Sequence, residues 1–408
     1  LGSLYLAQGL PYGFFTQALP ALMRARGISL EEIGLTSLLA LPWALKFLWA
    51  PLVDRVGSRK FGRRRTWIVP LQVLSVATLV ALSFIDPQGG LTWILIGVAV
   101  INLLAATQDI ATDGLAVSIL PPSARGLGNG IQVAGYRLGM ILGGGVLLIV
   151  LDSLGWADVF LLMALTLALS SVPILLYREA SEPAEVPATP ATPTTTPPLP
   201  TLWEALTGLV RRPGMWLWLV ALGAYKAGEH FAGGMLRPLL IDLGLTMGEI
   251  GWLTGTAGFI AGLLGALAGG MLVNVLGRVR AVVIFGLMQA IAVSLYAFAT
   301  FGPVDMTELY VLCIVEHFVS GMATVALFTM MMDRCDPKTG GTDYTIQASV
   351  VVLASGAASA VSGYSAAALG YTWHFVVAGG ACLVTLVPLV AYVLSRRAHH
   401  PSPVRAPS

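Results

Sequence analysis

Long apolar runs, broken by short charged or turn-forming segments, follow one another along the whole chain of 408 residues. A helix needs about 20 apolar residues to cross a bilayer. By that measure the pattern predicts twelve spans, numbered in chain order: 2–23, 31–53, 67–85, 91–118, 126–151, 157–177, 214–241, 248–275, 281–300, 306–331, 343–366 and 371–394. Hydrophobic residues make up 56% of the chain and charged residues only 11%, so much of the surface must face lipid. The pattern therefore predicts an all-α polytopic membrane protein.

The positions of arginine and lysine between the predicted spans indicate how the chain is oriented. If the loop after span 2 is cytoplasmic, nearly all basic loop residues are cytoplasmic too, and the opposite loops keep only Arg24 and Arg26. We therefore expect both termini in the cytoplasm and the protein in a bacterial inner membrane. A net charge of +2 gives no sign of a nucleic acid partner. Four tryptophans near predicted span ends are interpreted as interfacial anchors, namely Trp43, Trp49, Trp67 and Trp93.

A change of composition divides the spans into six and six. Residues 178–212 contain EASEPAEVPATPATPTTTPPLP, which is too rich in proline, threonine and charge to bury a core. This segment is predicted to be an extended or disordered cytoplasmic linker. It separates an N-terminal half, 1–177, from a C-terminal half, 213–395, and a basic cytoplasmic tail follows at 396–408.

An internal repeat supports this division. GISLEEIG at 27–34 returns as GLTMGEIG at 244–251, which is 217 positions later. The loop after span 2 has a weaker counterpart after span 8, where Asn274, Gly277 and Arg278 stand. Two parallel six-helix halves are the arrangement of a secondary transporter that rocks its halves around a site at the bilayer midplane.

Several longer strings resemble the major facilitator superfamily and, within it, the AmpG-type permease group of muropeptide permeases, acetyl-CoA transporters and siderophore permeases. These strings are KFLWAPLVDR at 46–55, ATQDIATDG at 106–114, GYRLGM at 135–140 and YKAGE at 225–229. The superfamily's loop G-x-x-x-D-R-x-G-R-R is altered here, because Ala50 replaces its first glycine and an insert separates Asp54 from Gly62. The resemblance implies the major facilitator fold and transport rather than enzymatic activity.

Two further strings indicate a branch of that group. QGLPYGFFTQALP at 8–20 and GTDYTIQAS at 341–349 look closer to siderophore permeases. Muropeptide permeases usually carry two more C-terminal spans, and they have aspartate where Glu229 stands here. The resemblance thus implies import of a medium-sized amphipathic anion, with a siderophore as the expected solute and an anhydromuropeptide as the alternative.

Carboxylates inside span 4 are the first candidates for proton coupling, because a charge within the membrane needs a partner, water or a function. Asp109 and Asp113 lie on one helical face with Asn102, and Gln108 lies beside them. Two carboxylates this close disfavour joint ionisation, so one of them could hold a proton. A structural ion pair is the alternative to proton coupling. The two interpretations have equal weight for Asp113, whereas proton coupling is favoured for Asp109. Asn102 and Gln108 are candidates for binding the solute.

Two basic residues within spans are candidate partners for these carboxylates. They are Lys46 in span 2 and Arg137 in span 5. Arg137 could also clamp a carboxylate of the solute, because its planar guanidinium bonds both oxygens. A structural salt bridge where the helices pack closely is the alternative of equal weight. Lys46 is interpreted as structural.

Span 7 contains Tyr225, Lys226, Glu229 and His230 within six residues. Glu229 and His230 are candidates for proton coupling, since histidine titrates near neutral pH. Tyr225 and Lys226 are candidates for binding the solute. The alternative is a self-contained Lys226–Glu229 pair at i and i+3.

Spans 10 and 1 add the remaining candidates. Glu316 is a candidate proton carrier, and His317 is a candidate for solute binding, with an ordinary buried hydrogen bond as its alternative. Tyr5, Gln8 and Tyr12 form a polar and aromatic stripe along span 1, which suits a solute with rings or amides. Aromatic packing is the alternative for Tyr5.

The charged loop after span 2 is predicted to stabilise one conformation of the transporter through salt bridges. This gating group consists of Lys46, Asp54, Arg55, Arg63, Arg64 and Arg65. Binding of anionic lipid head groups by the arginines is a weaker alternative.

No signature of a metal site, cofactor or enzyme stands out. The three cysteines are far apart, and no GxxxxGK[ST] loop for a nucleotide is present. We therefore expect no metal and no cofactor, and a proton gradient as the energy source. A membrane-embedded enzyme or a non-transporting sensor is the remaining alternative. The expected partners are the solute and the lipid bilayer, and the chain is expected to be a monomer.

Overall fold

The computed structural model describes residues 1–25, 27–28, 36–58, 60–86, 89–179, 202–302 and 305–399. Within these ranges the chain is almost entirely helical, and a helix coincides with each of the twelve predicted spans. The predicted fold class is therefore confirmed. The first residues of predicted span 2, 31–35, lie outside the described residues.

The first six helices carry the N-terminal sequence half. They are α1 (Gly2–Gly13, Phe14–Ala18 and Leu19–Ala25), α2 (Thr36–Ala40, Leu41–Leu45, Lys46–Leu48 and Ala50–Arg55), α3 (Arg65–Ser83), α4 (Leu91–Ile119), α5 (Arg125–Ile141, Leu142–Val146 and Leu147–Leu154) and α6 (Trp156–Leu176). The middle segments of α1 and α5 are π-helical, which widens each helix locally without ending it.

The other six helices carry the C-terminal sequence half. They are α7 (Met215–Asp242), α8 (Met247–Ile250, Gly251–Ala257 and Gly258–Leu276), α9 (Arg278–Leu295), α10 (Met306–Met332), α11 (340–369) and α12 (371–384, continued by Leu386–His399). Eight helical stretches in the described residues are long and apolar enough to span a membrane, and one of them, Pro337–Tyr392, contains both α11 and most of α12. The remaining spans are broken into short segments (α1, α2) or carry several polar groups (α7).

Contacts divide the chain into two compact units. The first consists of Leu1–Leu206 with Met331–Ser349, and the second of Thr207–Met330 with Val350–Ser408. The end of α10 and the start of α11 therefore pack with the first unit, although they belong to the second half by sequence. The boundaries of the halves given by the linker stay a prediction.

The predicted linker is described only at its two ends. Residues 180–201 lie outside the described residues. The expectation of an extended chain is wrong at the second end, because Leu202–Val210 forms a helix, here called the linker helix. Its sequence LWEALTGLV spaces leucine and valine at helical intervals, which favours a one-sided apolar helix over an extended strand.

Glycines with positive φ recur at matching positions in the two sequence halves. This backbone region is strained for other residues and easily adopted by glycine. The matching pairs, 217 or 215 positions apart, are Gly27 with Gly244 (φ 75° and 89°), Gly62 with Gly277 (92° and 81°) and Gly155 with Gly370 (81° and 74°). Three such matches support the internal repeat that the sequence indicates.

Single glycines also join neighbouring helices directly. Gly155 is the only residue between α5 and α6, and Gly370 is the only residue between α11 and α12. Their ψ angles of 174° and 165° show that each reverses the chain without a loop.

Helices α1 and α5 cross in direct backbone contact. A Cβ atom built on Gly9, Gly139 or Gly143 would collide with a carbonyl oxygen of the facing helix. Only glycine permits this approach, which holds the α1 polar stripe firmly beside α5. Phe14 of α1 and Phe160 of α6 add an edge-to-face ring contact at 5.1 Å in the apolar core of the same unit.

Candidate functional site

A buried polar strip runs along α4 in the first unit. Asp109 forms an ion pair with Lys46 of α2, and both side chains are buried. Asn102, two turns earlier, accepts a hydrogen bond at 3.0 Å from the indole nitrogen of Trp43. The sequence analysis named Lys46 as a candidate partner of these carboxylates, and the structure pairs it with Asp109.

Asp113 has different surroundings from Asp109. Its Oδ1 atom accepts a hydrogen bond from the Tyr5 hydroxyl at 2.7 Å and one from Gln132 Nε2 at 3.5 Å. Both donors are neutral, whereas Asp109 bonds a cation. The two carboxylates of α4 are thus held by three different helices, α1, α2 and α5.

Three buried amide side chains line the same strip. Gln8 Nε2 donates to the Thr112 hydroxyl at 3.3 Å. Within the described part of the chain, Gln8 Oε1, Gln108 Nε2 and Gln132 Oε1 are buried and have no hydrogen-bond partner. Buried polar atoms are rarely left in this state. These amides therefore offer two acceptors and one donor to a polar solute or to water.

An aromatic cluster stands beside the strip. The Tyr12 ring lies 5.6 Å from the Trp43 ring and 5.7 Å from the Tyr136 ring, and the latter two are 6.3 Å apart. All three are half-buried, and Lys46 Nζ lies 5.6 Å from the Trp43 ring centre. The sequence analysis missed Tyr136 and interpreted Trp43 as an interfacial anchor. That interpretation is wrong, because Trp43 faces α4.

Arg137, next to Tyr136 on α5, is half-buried.

Trp49 likewise faces α4 rather than acting only as an anchor, since its indole nitrogen donates to the Thr107 hydroxyl at 3.2 Å. The two other tryptophans differ from this pair. Trp67 donates to the Val56 carbonyl at 2.6 Å, and Trp93 is 65% exposed, as expected of an anchor.

A second buried cluster surrounds Glu229 in the second unit. Its carboxylate accepts hydrogen bonds from Lys226, from Gln289 of α9 and, at 2.6 Å, from the Ser320 hydroxyl of α10. Lys226 also donates to the Thr324 hydroxyl at 3.0 Å. The i,i+3 pair weighed as the alternative is therefore formed, but it belongs to a network across three helices.

The sequence analysis missed Gln289, Ser320 and Thr324, whose only signal is that they are uncharged polar residues inside spans. The other span 7 candidates, Tyr225 and His230, are neighbours of Glu229 on α7, but no side-chain hydrogen bond joins them to it within the described residues. The Tyr225 hydroxyl donates to the Val282 carbonyl at 3.0 Å, and the His230 side chain is exposed.

Glu316 and His317 form a close pair on α10. Glu316 Oε2 lies 2.8 Å from His317 Nδ1, which also lies 3.0 Å from the Cys313 carbonyl. The ordinary hydrogen bond weighed for His317 is thus present. Among the described residues, no group of three histidine, cysteine, aspartate or glutamate side chains is placed to hold a metal ion.

The charged loop after α2 forms a network inside the first unit. Asp54 forms a buried ion pair with Arg64 and accepts two hydrogen bonds from Thr342, from its backbone nitrogen and its hydroxyl, each at 2.6 Å. Arg63 donates to the Asp54 carbonyl. A separate ion pair joins Arg125 to Asp333 at 2.9 Å.

Two members of the predicted gating group make no salt bridge. Within the described residues, Arg55 has no acidic partner, and Arg65 donates to the Leu175 carbonyl at 3.0 Å. The salt-bridge prediction is wrong for these two. Arg65 starts α3 and contacts α6, whereas Asp54 is bonded by Arg63, Arg64 and Thr342.

Replacing Asp54 by asparagine should release Thr342 and its neighbours. The change leaves Arg64, which is only 3% exposed, without its carboxylate, and hydrogen bonds to charged groups contribute about 1.5–3 kcal/mol. We expect maleimide to label Cys335, which lies in the same segment as Thr342, roughly ten times faster. Mass spectrometry of the labelled peptides measures this rate.

The buried thiols of Cys313 and Cys382 in the second unit serve as internal controls. Equal acceleration at all three cysteines would indicate general unfolding and contradict a local role for Asp54. The exposed Asp158→Asn substitution matches the charge change and should leave all three rates unaltered.

This combination of paired charges buried within membrane-length helices, an internal repeat and two six-helix halves defines a secondary transporter. The family model of the Major Facilitator Superfamily matches residues 1–228 and again 227–407. Anhydromuropeptide permease of Escherichia coli (strain K12) is 31% identical over 386 residues, which are 94% of this chain and 77% of that protein. The chain belongs to the major facilitator superfamily and, within it, to the AmpG-type permease group.

A further relative agrees with this assignment, and two solved structures share the fold. Putative transporter AmpG 4 of Rickettsia felis is 24% identical over 91% of this chain and 90% of that protein. The crystal structure of the human organic anion transporter MFSD10 matches with a TM-score of 0.72 at 18% identity. The match covers 95% of this chain and 97% of the MFSD10 chain. The crystal structure of the transporter FucP in its outward conformation matches with a TM-score of 0.71 at 14% identity. The match covers 96% of this chain and 97% of the FucP chain. At these identities the two structures show the fold alone.

Proposed function

We propose that this chain imports an anhydromuropeptide across the inner membrane, driven by protons. The observation that carries the proposal is the identity of 31% over 94% of the chain to an anhydromuropeptide permease. The siderophore expected from shorter strings receives no support from the relatives described above. The anhydromuropeptide, which the sequence analysis gave as the alternative solute, is therefore better supported than a siderophore.

The first unit offers groups that suit such a solute. A muropeptide carries sugar rings, amides and carboxylates. Half-buried rings of Tyr12, Trp43 and Tyr136 can stack on sugar faces. Unpartnered amide atoms of Gln8 and Gln108 can bond peptide groups. Arg137 is the candidate for a carboxylate, because its guanidinium can bond both oxygens.

Proton coupling is assigned to the carboxylates within the helices. Asp109 and Asp113 lie one turn apart and are held by donors from three other helices. Two carboxylates this close disfavour joint ionisation, so one of them can carry a proton. Glu229 and Glu316 in the second unit are further candidates. Solute movement would follow alternating access of the two halves, with both termini in the cytoplasm.

Uptake by proteoliposomes tests the proposal. We expect inward accumulation of labelled anhydromuropeptide when the outside is acidified, and loss of accumulation when a protonophore is added. An excess of unlabelled anhydromuropeptide should compete, whereas a ferric siderophore should not. Empty liposomes give the background.

Accumulation of the siderophore in place of the muropeptide would overturn the proposed solute. Muropeptide accumulation that ignores the protonophore would overturn proton coupling while leaving the solute assignment in place.

A further inference from the structure

A groove of about 250 Å³ opens in the first unit where α3 begins and α6 ends. Its walls are Phe61, Arg65, Thr66, Val69, Pro70 and Leu175. Phe61 is 66% exposed and Leu175 is 51% exposed. Large apolar side chains exposed at the end of a membrane-spanning helix meet the acyl region of the bilayer. The groove is therefore an apolar surface on which a chain of lipid can lie.

Arg65 supplies a cation to this groove. Its Nη2 atom donates to the Leu175 carbonyl at 3.0 Å, while its Nε atom is buried and has no hydrogen-bond partner in the described part of the chain. No described carboxylate forms an ion pair with it. The nearby Glu179 carboxylate accepts from the backbone nitrogens of Arg64 at 3.0 Å and Arg65 at 3.3 Å. Within the described residues, no carboxylate therefore neutralises the charge of the Arg65 guanidinium.

The apolar walls and the guanidinium together indicate the chemistry of the ligand. A guanidinium bonds two oxygens of a phosphate in one plane, and it is less strongly hydrated than an ammonium group. Lys60, which is exposed in the same loop, adds positive charge close by. Basic residues near a membrane surface attract anionic lipid. A free anion would match Arg65 alone and would leave the apolar walls bare.

We propose that this groove binds an anionic glycerophospholipid, with its phosphate on Arg65 and an acyl chain along Phe61, Val69 and Leu175. The orientation expected from the basic loops places this lipid in the cytoplasmic leaflet. The site lies outside the polar strip of α4, and none of its residues is a candidate for solute binding or proton coupling.

Native mass spectrometry of the full chain in detergent measures the affinity for added phosphatidylglycerol. We expect Arg65→Gln to weaken this affinity roughly tenfold, because a charge-assisted hydrogen bond to phosphate is lost. Arg211→Gln makes the same change of charge at an exposed position in the second unit and should leave the affinity unaltered. Phosphatidylcholine should bind the unsubstituted protein roughly tenfold more weakly than phosphatidylglycerol.

A second variant keeps the test decisive if Arg65→Gln folds poorly. Val69→Trp fills the groove while Arg65 stays in place, so we expect it to weaken phosphatidylglycerol binding as well. Unchanged affinity in either folded variant, or equal affinity for the two lipids, would overturn the proposal. Displacement of the lipid by inorganic phosphate at equal concentration would overturn it too, since that result would identify an anion site without an acyl groove.

Discussion

Asp109→Asn should abolish accumulation of the solute and should also destabilise the protein. Removal of one partner from a buried ion pair leaves the other charge uncompensated, which costs about 3–5 kcal/mol. Here that charge belongs to Lys46, which is 3% exposed. We expect a lower midpoint of thermal unfolding in detergent, and no uphill accumulation in proteoliposomes. Lys46→Met should lower the unfolding midpoint to a similar extent.

The double variant Lys46→Met/Asp109→Leu separates stability from coupling. Replacing both members of a buried pair by apolar residues is often neutral for stability or favourable. The double variant should therefore unfold near the temperature of the unsubstituted protein and still fail to accumulate solute. Restored accumulation in the double variant would reassign the pair to a purely structural role. Exposed Asp158→Asn controls for the loss of one carboxylate.

Gly143→Ala should lower stability, although alanine in place of glycine ordinarily favours a helix. The added Cβ atom would collide with the Leu10 carbonyl of α1. The obstacle is backbone, so no side-chain rotation relieves it, and such overpacking costs about 1–3 kcal/mol. We expect a lower unfolding midpoint for this variant.

Gly145→Ala is the matched control for this substitution. It lies two residues later in the same helical segment, and a Cβ atom there would meet nothing within 4 Å. Alanine favours a helix over glycine by about 1 kcal/mol, so this control should be neutral or stabilising. Equal midpoints for the two variants would contradict the direct contact of α1 with α5.

The spans could be predicted from the sequence because hydropathy and loop charge act locally. Charged candidates were found for the same reason, since Asp109, Lys226 and Glu229 stand out in an apolar run. Gln289 and Ser320 could not be found in this way. Uncharged polar residues are common in membrane helices, and only packing brings these two against Glu229.

Tertiary packing accounts for the other differences. Trp43 lies at the middle of predicted span 2 rather than at its end, so its position did not favour an anchor, and the approach of α2 to α4 turns its indole toward Asn102. Residues 331–349 belong to the second half by sequence but contact the first unit, through bonds such as that from Thr342 to Asp54. Such pairings across nearly 300 positions carry no local signal.

The single glycines that join α5 to α6 and α11 to α12 have a mechanical consequence. Each reversal consists of one glycine, so only the φ and ψ angles of that residue can change the angle between the two helices that it joins. A longer turn distributes such a rotation over several residues. Any change of angle between the last two helices of a sequence half is therefore concentrated at Gly155 or Gly370, and replacing either glycine would restrict it.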